Sequence, residues 1–308
     1  MKHTVLGAGG SIGNVLTMEL LKSKQNVRIV SRSKYSIPGA ESFRANLSSY
    51  NETLNSVKGY DIVYLCVGLP YDSKLWAKLW PGFMKNTIDA CKKVDAKLIF
   101  FDNVYAYGKV NGIMTENTPY APCSKKGEVK AIVANMLEDE MKHHNIRAII
   151  ARSADLYGPY ITVKSVPYIM AFDNMMKGIG AQWLIDAHTL HSHTYTLDCA
   201  RGLNLLWNND ECYQQIWHLP TVSPAINGKK FIELIANELR VKPNYTIMTK
   251  KLIRMIGIIH KTIYESYEML YQNEYDYQFD STKFNDYFNY KPVAYEEGIR
   301  ETIEFLKN

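Results

Sequence analysis

The sequence predicts a doubly wound parallel α/β fold, because short apolar segments alternate with amphipathic helical segments through its first half. The predicted strands cover residues 4–6, 27–30, 61–68, 97–101 and 147–151. The predicted helices include one that begins at Pro81 and one that runs from Lys126 to Met141. Ligands of such folds bind at the carboxyl ends of the strands. Functional residues are therefore expected directly after the strands.

A glycine-rich turn lies between the first predicted strand and the first amphipathic segment. Gly7, Gly10 and Gly13 have the spacing G-x-x-G-x-x-G, and Ser11 and Ile12 lie between the last two. Glycines allow a tight turn and a close approach of the backbone to a pyrophosphate, which then sits at the positive N-terminus of the helix. The order strand, turn, helix predicts a Rossmann-type dinucleotide site at these five residues.

The regular alternation ends after the first half of the chain. Residues 160–188 and 219–288 have helical and irregular patterns, whereas residues 194–208 look like a return to the first unit. The sequence thus predicts a Rossmann domain of residues 1–158 plus 190–218. A smaller C-terminal substrate-capping lobe would comprise residues 159–189 plus 219–308.

Composition and charge narrow the class of protein. Of the 308 residues, 46% are hydrophobic and 22% are charged, as in ordinary globular proteins. The net charge of +5 comes from dispersed Lys and Arg residues, which argues against nucleic-acid binding. No apolar stretch reaches the ~20 residues that span a bilayer, so no membrane partner is expected. Five widely spaced cysteines without a C-x-x-C pair favour a reduced, cytoplasmic location.

The end of the second predicted strand bears on which dinucleotide binds. NAD sites usually carry an acidic residue there, which holds the ribose 2′-hydroxyl. This chain has Ser31, Arg32 and Ser33 instead, and a guanidinium with hydroxyls suits a 2′-phosphate. NADP is therefore expected in preference to NAD, unless Arg32 is only a solvated loop charge. Asn46 and Leu47 are expected to flank the adenine.

Several motifs along the chain resemble those of one family. They are the glycine turn, the strand at residues 61–68, FFDNVYAYG at residues 100–108, RSADLYGP at residues 152–159, residues 194–200, and the segments 280–283 and 291–300. The chain therefore resembles the extended short-chain dehydrogenase/reductase family of nucleotide-sugar epimerases and dehydratases. The resemblance implies that Cys66, Val67 and Gly68 lie beside a nicotinamide cofactor. It also implies a small-molecule substrate such as a nucleotide sugar, and a homodimer.

The expected catalytic residues of that family are replaced in this chain. The family uses a Ser or Thr and a Y-x-x-x-K pair, in which the Tyr is the acid/base and the Lys holds the ribose. Lys130 matches the family Lys, but Lys126 replaces the Tyr, and Asn103 replaces the Ser or Thr next to Asp102. The resemblance thus implies an atypical subgroup with a rewritten site.

Other residues are candidates for the missing proton-transfer group. Lys126 lies four residues from Lys130, and a second cation would favour its neutral, basic form; the alternative is a solvated lysine. Asp102 could abstract a proton next to a keto group, or cap a turn. The phenolic candidates, which packing would explain equally well, are Tyr105, Tyr107 and Tyr157.

These motifs leave two hypotheses for the function of the chain, and one histidine cluster lies outside them. The chain is either an NAD(P)-dependent reductase or epimerase that acts by hydride transfer on a sugar-like or other carbonyl substrate, or a non-catalytic NADP sensor. His188, His191 and His193 lie close together in sequence, but a substrate-facing role for one of them is favoured over a metal site. Candidates for contacts to a substrate diphosphate are Lys164, Lys177, Arg240 and Arg254.

Overall fold

The computed structural model describes residues 1–161 and 165–307. The strands of these residues are β1 (Lys2–Leu6), β2 (Asn26–Ser31), β3 (Glu41–Arg44), β4 (Ile62–Leu65), β5 (Lys97–Asn103), β6 (Ile113–Met114), β7 (Ala148–Ser153), β8 (Asp155–Tyr157), β9 (Ala181–Leu184), β10 (Leu190–His191), β11 (His193–Tyr195), β12 (Gln215–His218), β13 (Ile226–Asn227), β14 (Tyr245–Met248) and β15 (Gln278–Phe279). The helices are α1 (Ser11–Lys22), α2 (Tyr50–Val57), α3 (Ser73–Val94), α4 (Lys125–Lys142), α5 (Asp173–Met176), α6 (Thr196–Trp207), α7 (Gly228–Leu239), α8 (Lys250–Gly257), α9 (Lys261–Ser266), α10 (Thr282–Phe288) and α11 (Tyr295–Lys307).

Seven parallel strands form the central sheet, in the order β12-β7-β5-β4-β1-β2-β3. The strand order changes direction at β1, which pairs with β2 on one side and with β4 on the other. Ligands of open α/β sheets bind at such a switch point, outside the carboxyl ends of the strands. The doubly wound parallel α/β prediction is confirmed, and the glycine turn lies at the switch point.

Helices cover both faces of the sheet, as the near-continuous apolar strands require. Successive residues of β5 show the division: Leu98 and Phe100 pack with α3 and α4, whereas Ile99 packs on the opposite face with α1 and α6. The sheet therefore positions the ends of β1, β2, β4, β5 and β7 next to each other.

One helix boundary predicted from the sequence is wrong. The helix expected to begin at Pro81 begins eight residues earlier at Ser73, and Pro81 lies inside α3. Asp72 caps the true start, where its carboxylate accepts from the backbone N–H of Leu75 at 3.0 Å. A proline in a helix interior costs one backbone hydrogen bond, which the burial of Trp76 and Trp80 along this helix outweighs.

The C-terminal segments contain more regular structure than the sequence pattern indicates. β9 pairs with β14 in parallel, although both lie in segments predicted to be helical and irregular. Trp183 of β9 packs so closely against Gly228 that a Cβ there would lie 2.1 Å from the indole. This pair anchors α7, which packs against α11 to form a separate core. Within the described ranges, no helix is both long and apolar enough to cross a lipid bilayer.

Candidate active site at the cofactor edge

The glycine turn leaves no room for side chains. Gly7 has φ +106°, and a Cβ on it would lie 2.8 Å from backbone atoms of Cys66 and Val67. A Cβ on Gly13 would lie 2.7 Å from the Gly7 carbonyl oxygen. A Cβ on Gly10, the remaining glycine of the motif, would lie 3.3 Å from the same oxygen. The turn therefore brings α1 directly against the ends of β1 and β4, as a pyrophosphate cradle requires.

The start of α1 presents backbone donors without a capping side chain. Gly10 is the N-cap residue, and Ser11 and Ile12 form the first turn. Asn14 and Tyr35 support the turn from behind, although the sequence analysis did not single them out. The Asn14 side-chain carbonyl accepts from the Gly9 N–H at 3.1 Å and from the Tyr35 hydroxyl at 3.0 Å. The uncapped N–H groups are suited to an anion, so the turn fits the pyrophosphate of a dinucleotide.

Two arginines lie at the ends of neighbouring strands. Ser31 of β2 pairs with Arg44 of β3, and both Arg32 and Arg44 are exposed. The Arg44 guanidinium donates to the Arg32 carbonyl at 3.0 Å, and the Ser31 hydroxyl donates to the Ser33 carbonyl at 2.5 Å. Arg44 is not among the residues predicted from the sequence, although a basic residue at the end of the third strand is a recognisable candidate for a phosphate contact.

The next expected cofactor contacts follow β3 and β4. The Asn46 side chain is exposed, and its carbonyl accepts from the Ser48 N–H at 3.1 Å. Leu47 is buried in the core between the sheet and α3. Cys66 continues β4 with a 2.8 Å backbone bond to Leu6, and burial raises the pKa of its thiol. Val67 is half-buried and Gly68 is exposed at the edge of the sheet.

Three charged side chains form a buried cluster beneath the site. Asp102 accepts contacts from Lys130 Nζ at 2.6 Å and from Arg152 Nε at 3.1 Å, and all three are buried. The Lys130 ammonium also lies 4.3 Å from the Trp80 ring and 4.5 Å from the Phe100 ring. Burial lowers the pKa of Lys130, and the Asp102 carboxylate opposes this shift. Asp102 is thus bound to two cations rather than capping a turn.

The cluster extends to aromatic hydroxyls on its other side. The Tyr120 hydroxyl contacts both the Arg152 guanidinium and the Glu138 carboxylate. The Arg152 guanidinium lies 4.7 Å from the Tyr107 ring. Tyr107 in turn is bonded to His218 at 2.7 Å and is buried. Packing and the hydrogen bond to His218 explain the position of Tyr107 without a role in proton transfer.

Lys126, at the position of the family Tyr, is held by a segment from the C-terminal part of the chain. Its ammonium lies 2.8 Å from a Glu265 carboxylate oxygen, 2.8 Å from the Glu265 carbonyl and 2.7 Å from Glu268. The Tyr71 ring lies 4.4 Å from the same ammonium. The alternative of a solvated lysine is wrong, because the side chain is fully buried. A neutral Lys126 amine would keep only two N–H donors, so a proton acceptor at this position would have to give up at least one of the three oxygen contacts.

The remaining candidates differ in their access to a substrate. Asn103 ends β5 half-buried, and its side-chain carbonyl accepts from the Tyr105 N–H at 3.2 Å. The Tyr105 hydroxyl lies 3.5 Å from the Tyr71 hydroxyl, and its ring stacks on Trp76. Burial raises the pKa of Tyr105, with a further contribution from Tyr71. Tyr157 is fully buried in the core formed by α7 and α11.

A small cavity lies beside β8 and β11. His191 Nε2 is 3.0 Å from the Asp155 carboxylate, and the His193 ring stacks on His191 with centroids 4.8 Å apart. These three residues line the cavity together with Trp183. Among the described residues, neither ring nitrogen of His193 has a hydrogen-bond partner, and its burial lowers its pKa. The cavity volume of about 10 Å³ leaves room beside these unpaired nitrogens for about one water-sized molecule.

The third histidine lies apart from this cavity lining. His188 is exposed, and its backbone N–H donates to Asp186 at 2.8 Å. Over residues 1–161 and 165–307, no group of three or more His, Cys, Asp or Glu residues is arranged to hold a metal ion. Among the expected diphosphate contacts, Lys164 lies outside the described residues. Lys177 is paired with Asp173 at 2.7 Å.

The fold, the switch point and the glycine turn together define a dinucleotide-binding α/β protein of Rossmann type. The sequence model of the NAD dependent epimerase/dehydratase family matches residues 3–212. The chain belongs to this family of NAD-dependent enzymes, and the resemblance inferred from the motifs is confirmed. Its class is therefore that of the epimerase/dehydratase enzymes.

Individual relatives are distant in sequence but close in fold. The uncharacterized UDP-glucose epimerase YtcB of Bacillus subtilis is 24% identical over 231 residues, which cover 66% of this chain and 71% of that protein. The NAD complex of UDP-glucose 4-epimerase from Thermus thermophilus superposes with a TM-score of 0.81 at 17% identity, over 100% of this chain and 99% of the other. UDP-glucuronic acid 4-epimerase from Bacillus cereus, bound to UDP-glucuronic acid and NAD, superposes with a TM-score of 0.83 at 16% identity, over 100% of this chain and 99% of the other. These likenesses establish the fold.

Proposed function

We propose that this protein reduces a carbonyl group of a nucleotide-sugar-like substrate with NADPH. The cofactor cradle carries the proposal, because Gly7 and Gly13 stand where any Cβ would collide with backbone. The family and its solved relatives support a nicotinamide dinucleotide in this cradle. When bound, the dinucleotide supplies the hydride. In this proposal, side chains of the protein select the cofactor, donate the proton and contact the substrate.

Arg32 and Arg44 support a preference for the phosphorylated cofactor. Both side chains are exposed at the carboxyl ends of β2 and β3, and the segment 31–34 contains no carboxylate. A 2′-phosphate carries charge that two guanidinium groups bind well, whereas a ribose hydroxyl gains little from them. The solved relatives contain NAD, so this preference would set the chain apart from them.

Tyr105 is the proposed proton donor. It is half-buried, whereas Lys126, Tyr107, Tyr157 and Asp102 are buried against partners or core. Its raised pKa keeps the phenol protonated near neutral pH. Hydride addition to a carbonyl creates an alkoxide that must take up a proton, and a protonated phenol supplies one.

The substrate is proposed to contact Asp155, which is half-buried beside the small cavity that His191 and His193 line. Relatives with this fold bind UDP-glucose or UDP-glucuronic acid, which supports a nucleotide sugar here. Asp155 follows β7 directly, so it lies at the same edge of the sheet as Asn103, which pairs with Ser153. This arrangement would put the capping segments, predicted as residues 159–189 and 219–308, over the reacting end of the cofactor.

A non-catalytic NADP sensor is the second candidate, and one observation favours it. The Lys130 ammonium is buried and lies 2.6 Å from Asp102, where it neutralises a carboxylate instead of facing solvent. If Lys130 is a structural cation, the chain keeps the cradle without the ribose-binding lysine. Binding experiments alone do not separate the two candidates, but turnover does.

The first experiment is a thermal-shift titration with NADP, NADPH, NAD and NADH at matched concentrations. Binding to the native state should add about 2.7 kcal/mol of stability at a hundredfold excess over Kd. Arg32→Ala and Arg44→Ala should each weaken NADPH by roughly tenfold and leave NADH unchanged. Lys34→Ala, on the same exposed loop, is the matched control. Equal affinity for all four nucleotides in the native protein would refute the NADP preference.

The second experiment tests turnover with an NADPH-linked screen of nucleotide sugars that carry a keto group. Tyr105→Phe should lower kcat by about 10²–10⁴ without changing NADPH affinity. Tyr71→Phe, which removes the hydroxyl 3.5 Å away, should have a smaller effect. NADPH binding without reduction of any substrate would favour the sensor.

A further inference from the structure

An apolar surface in the C-terminal part of the chain faces solvent. We call it the α8–α9 tip and define it by Met255, Ile258, Ile259 and Tyr264. These side chains are 66%, 82%, 88% and 67% exposed. Such exposure is unusual for adjacent large apolar residues and marks an interaction surface. The spacing i, i+3, i+7 relates Leu252, Met255 and Ile259. In most globular proteins, apolar residues with this spacing form the helix face that packs on the core.

The fold holds the tip outward. Gly257 lets α8 approach α9 closely, since a Cβ there would lie 3.2 Å from backbone of Tyr264. Ion pairs fix both ends: Lys250 Nζ lies 2.6 Å from Glu274, and Lys261 Nζ lies 2.5 Å from Asp72. The isoleucines lie at the turn between these two helices, where both side chains face solvent.

Positive charge surrounds the apolar side chains. Residues 249–264 contain four Lys or Arg residues and no Asp or Glu. Two of the four, Lys251 and Arg254, form no ion pair with any carboxylate of the described residues. Arg254 and Lys261 line an open pocket of about 560 Å³ together with Ile258, Ile259 and Tyr264. This concavity thus presents the Arg254 guanidinium beside hydrocarbon, and Lys261 is the cation of the pocket that Asp72 already pairs with.

We propose that the α8–α9 tip binds the surface of a lipid bilayer that contains anionic phospholipids. The phosphate groups would contact Arg254 and Lys251, and the acyl region would receive Ile258, Ile259 and Met255. An amphipathic helix with an apolar face and flanking Lys or Arg residues lies in a bilayer interface in this way. The expectation of no membrane partner rests on the lack of a segment that could span a bilayer, and such a segment is not needed for binding to the bilayer surface. This inference does not depend on the proposed reaction.

Flotation of the full chain with phospholipid vesicles tests the proposal. Vesicles of phosphatidylcholine with about 30% phosphatidylglycerol should carry the protein at low salt, and pure phosphatidylcholine vesicles should carry much less. Raising the salt should release it, because screening weakens the contribution of the cations. Ile258→Asp with Ile259→Asp should lower the partition coefficient more than roughly tenfold. Lys251→Glu with Arg254→Glu should lower it by a similar factor.

Ile179→Asp is the matched control, because Ile179 is 58% exposed outside the tip. It should float like the native protein, and all variants should retain the native melting transition. Failure of the native protein to float with anionic vesicles at low salt would overturn the proposal, as would flotation of the Ile258→Asp/Ile259→Asp variant. A solution dimer that Ile258→Asp dissociates, without vesicle binding, would assign the tip to a second copy instead.

Discussion

The glycine turn and the first turns of α4 both lie at the candidate cofactor edge, but they differ in what holds them in place. The turn is built from backbone, and its donors at the start of α1 remain available to an anion. The side chains of Lys126 and Lys130 on α4 are instead bound by carboxylates of this same chain. The two parts therefore depend on different things: the turn depends on local backbone geometry, and the environment of the α4 lysines depends on side chains from distant segments.

The two lysines also differ from each other. Lys130 joins Asp102 and Arg152, which lie on adjacent strands of the rigid sheet. Lys126 joins Glu265 and Glu268, which lie on a segment of short helices that also contacts the start of α3 through Ser73. The first cluster stabilises the domain core, whereas the second fastens a C-terminal segment over the place where the family carries its Tyr. Predictions for the two regions therefore differ.

The largest expected effect comes from Asp102→Ala. Removing this carboxylate leaves Lys130 and Arg152 buried without their counter-charge, which should cost about 3–5 kcal/mol of unfolding free energy. Denaturant unfolding measures it. Asp139→Ala, which breaks only an exposed contact to Lys142 at 3.8 Å, should change stability by less than about 0.5 kcal/mol. Equal costs for the two variants would contradict a structural role of the buried cluster.

Lys126→Met should be the next most costly change. It leaves Glu265 and Glu268 without their counter-charge. Because Glu268 is 23% exposed, we expect a smaller loss of unfolding free energy than for Asp102→Ala, about 2–3 kcal/mol. Neutralising the partners with Glu265→Gln and Glu268→Gln in the same chain should recover part of the loss. Thermal unfolding of the native protein, the single variant and the triple variant checks this. If Lys126→Met is as stable as the native protein, the fastening role assigned to the lysine is wrong.

Gly13→Val should separate the turn from α4. The new Cβ would meet the Gly7 carbonyl at 2.7 Å, so α1 must move away from β1. We expect a loss of about 1–3 kcal/mol in stability and no remaining stabilisation by dinucleotide. Gly82→Ala in α3, where a Cβ has nothing within 4 Å, should instead stabilise by roughly 1 kcal/mol. Retained dinucleotide binding in Gly13→Val would show that the cradle lies elsewhere.

The smallest effect concerns pH and the His218 imidazole near the buried cluster. Burial lowers the pKa of His218 to about 3, and its two nitrogens contact the Asp280 carbonyl at 2.6 Å and the Tyr107 hydroxyl at 2.7 Å. The neutral ring satisfies both contacts, as donor to the carbonyl and acceptor from the phenol.

Unfolding therefore takes up a proton at His218 below the ordinary histidine pKa of about 6.5. The stabilisation is fully present above that pH and is lost as pH falls towards the native pKa. At about pH 5 the loss should be about 2 kcal/mol for this residue alone. His218→Asn should be less stable at neutral pH but show a flatter decline with acid in denaturant titrations. An unchanged slope would exclude His218 as a source of the acid sensitivity.

The backbone around the candidate cofactor site was largely predictable from the sequence, and the side-chain contacts of α4 were not. The predicted helix at residues 126–141 corresponds to α4, which Ser124 caps by accepting from the Gly127 N–H at 3.0 Å. Arg32 was recognisable because it follows a strand. Arg44 was missed because β3 is short and partly exposed, which gives a weak strand pattern. The helix start at Ser73 was missed because Pro81 gave a stronger local signal than the Asp72 cap.

The sequence by itself determined the order of strand, turn and helix, the parallel sheet and the glycine cradle. These features follow from backbone conformation and apolar periodicity, which neighbouring residues specify. Only the tertiary structure decided the state of the lysines on α4, because their counter-charges come from other segments: Asp102 from β5, Glu265 and Glu268 from beyond residue 260. It also decided that Ile258 and Ile259 face solvent. An amphipathic pattern shows which residues share a face, but the rest of the fold determines what that face meets.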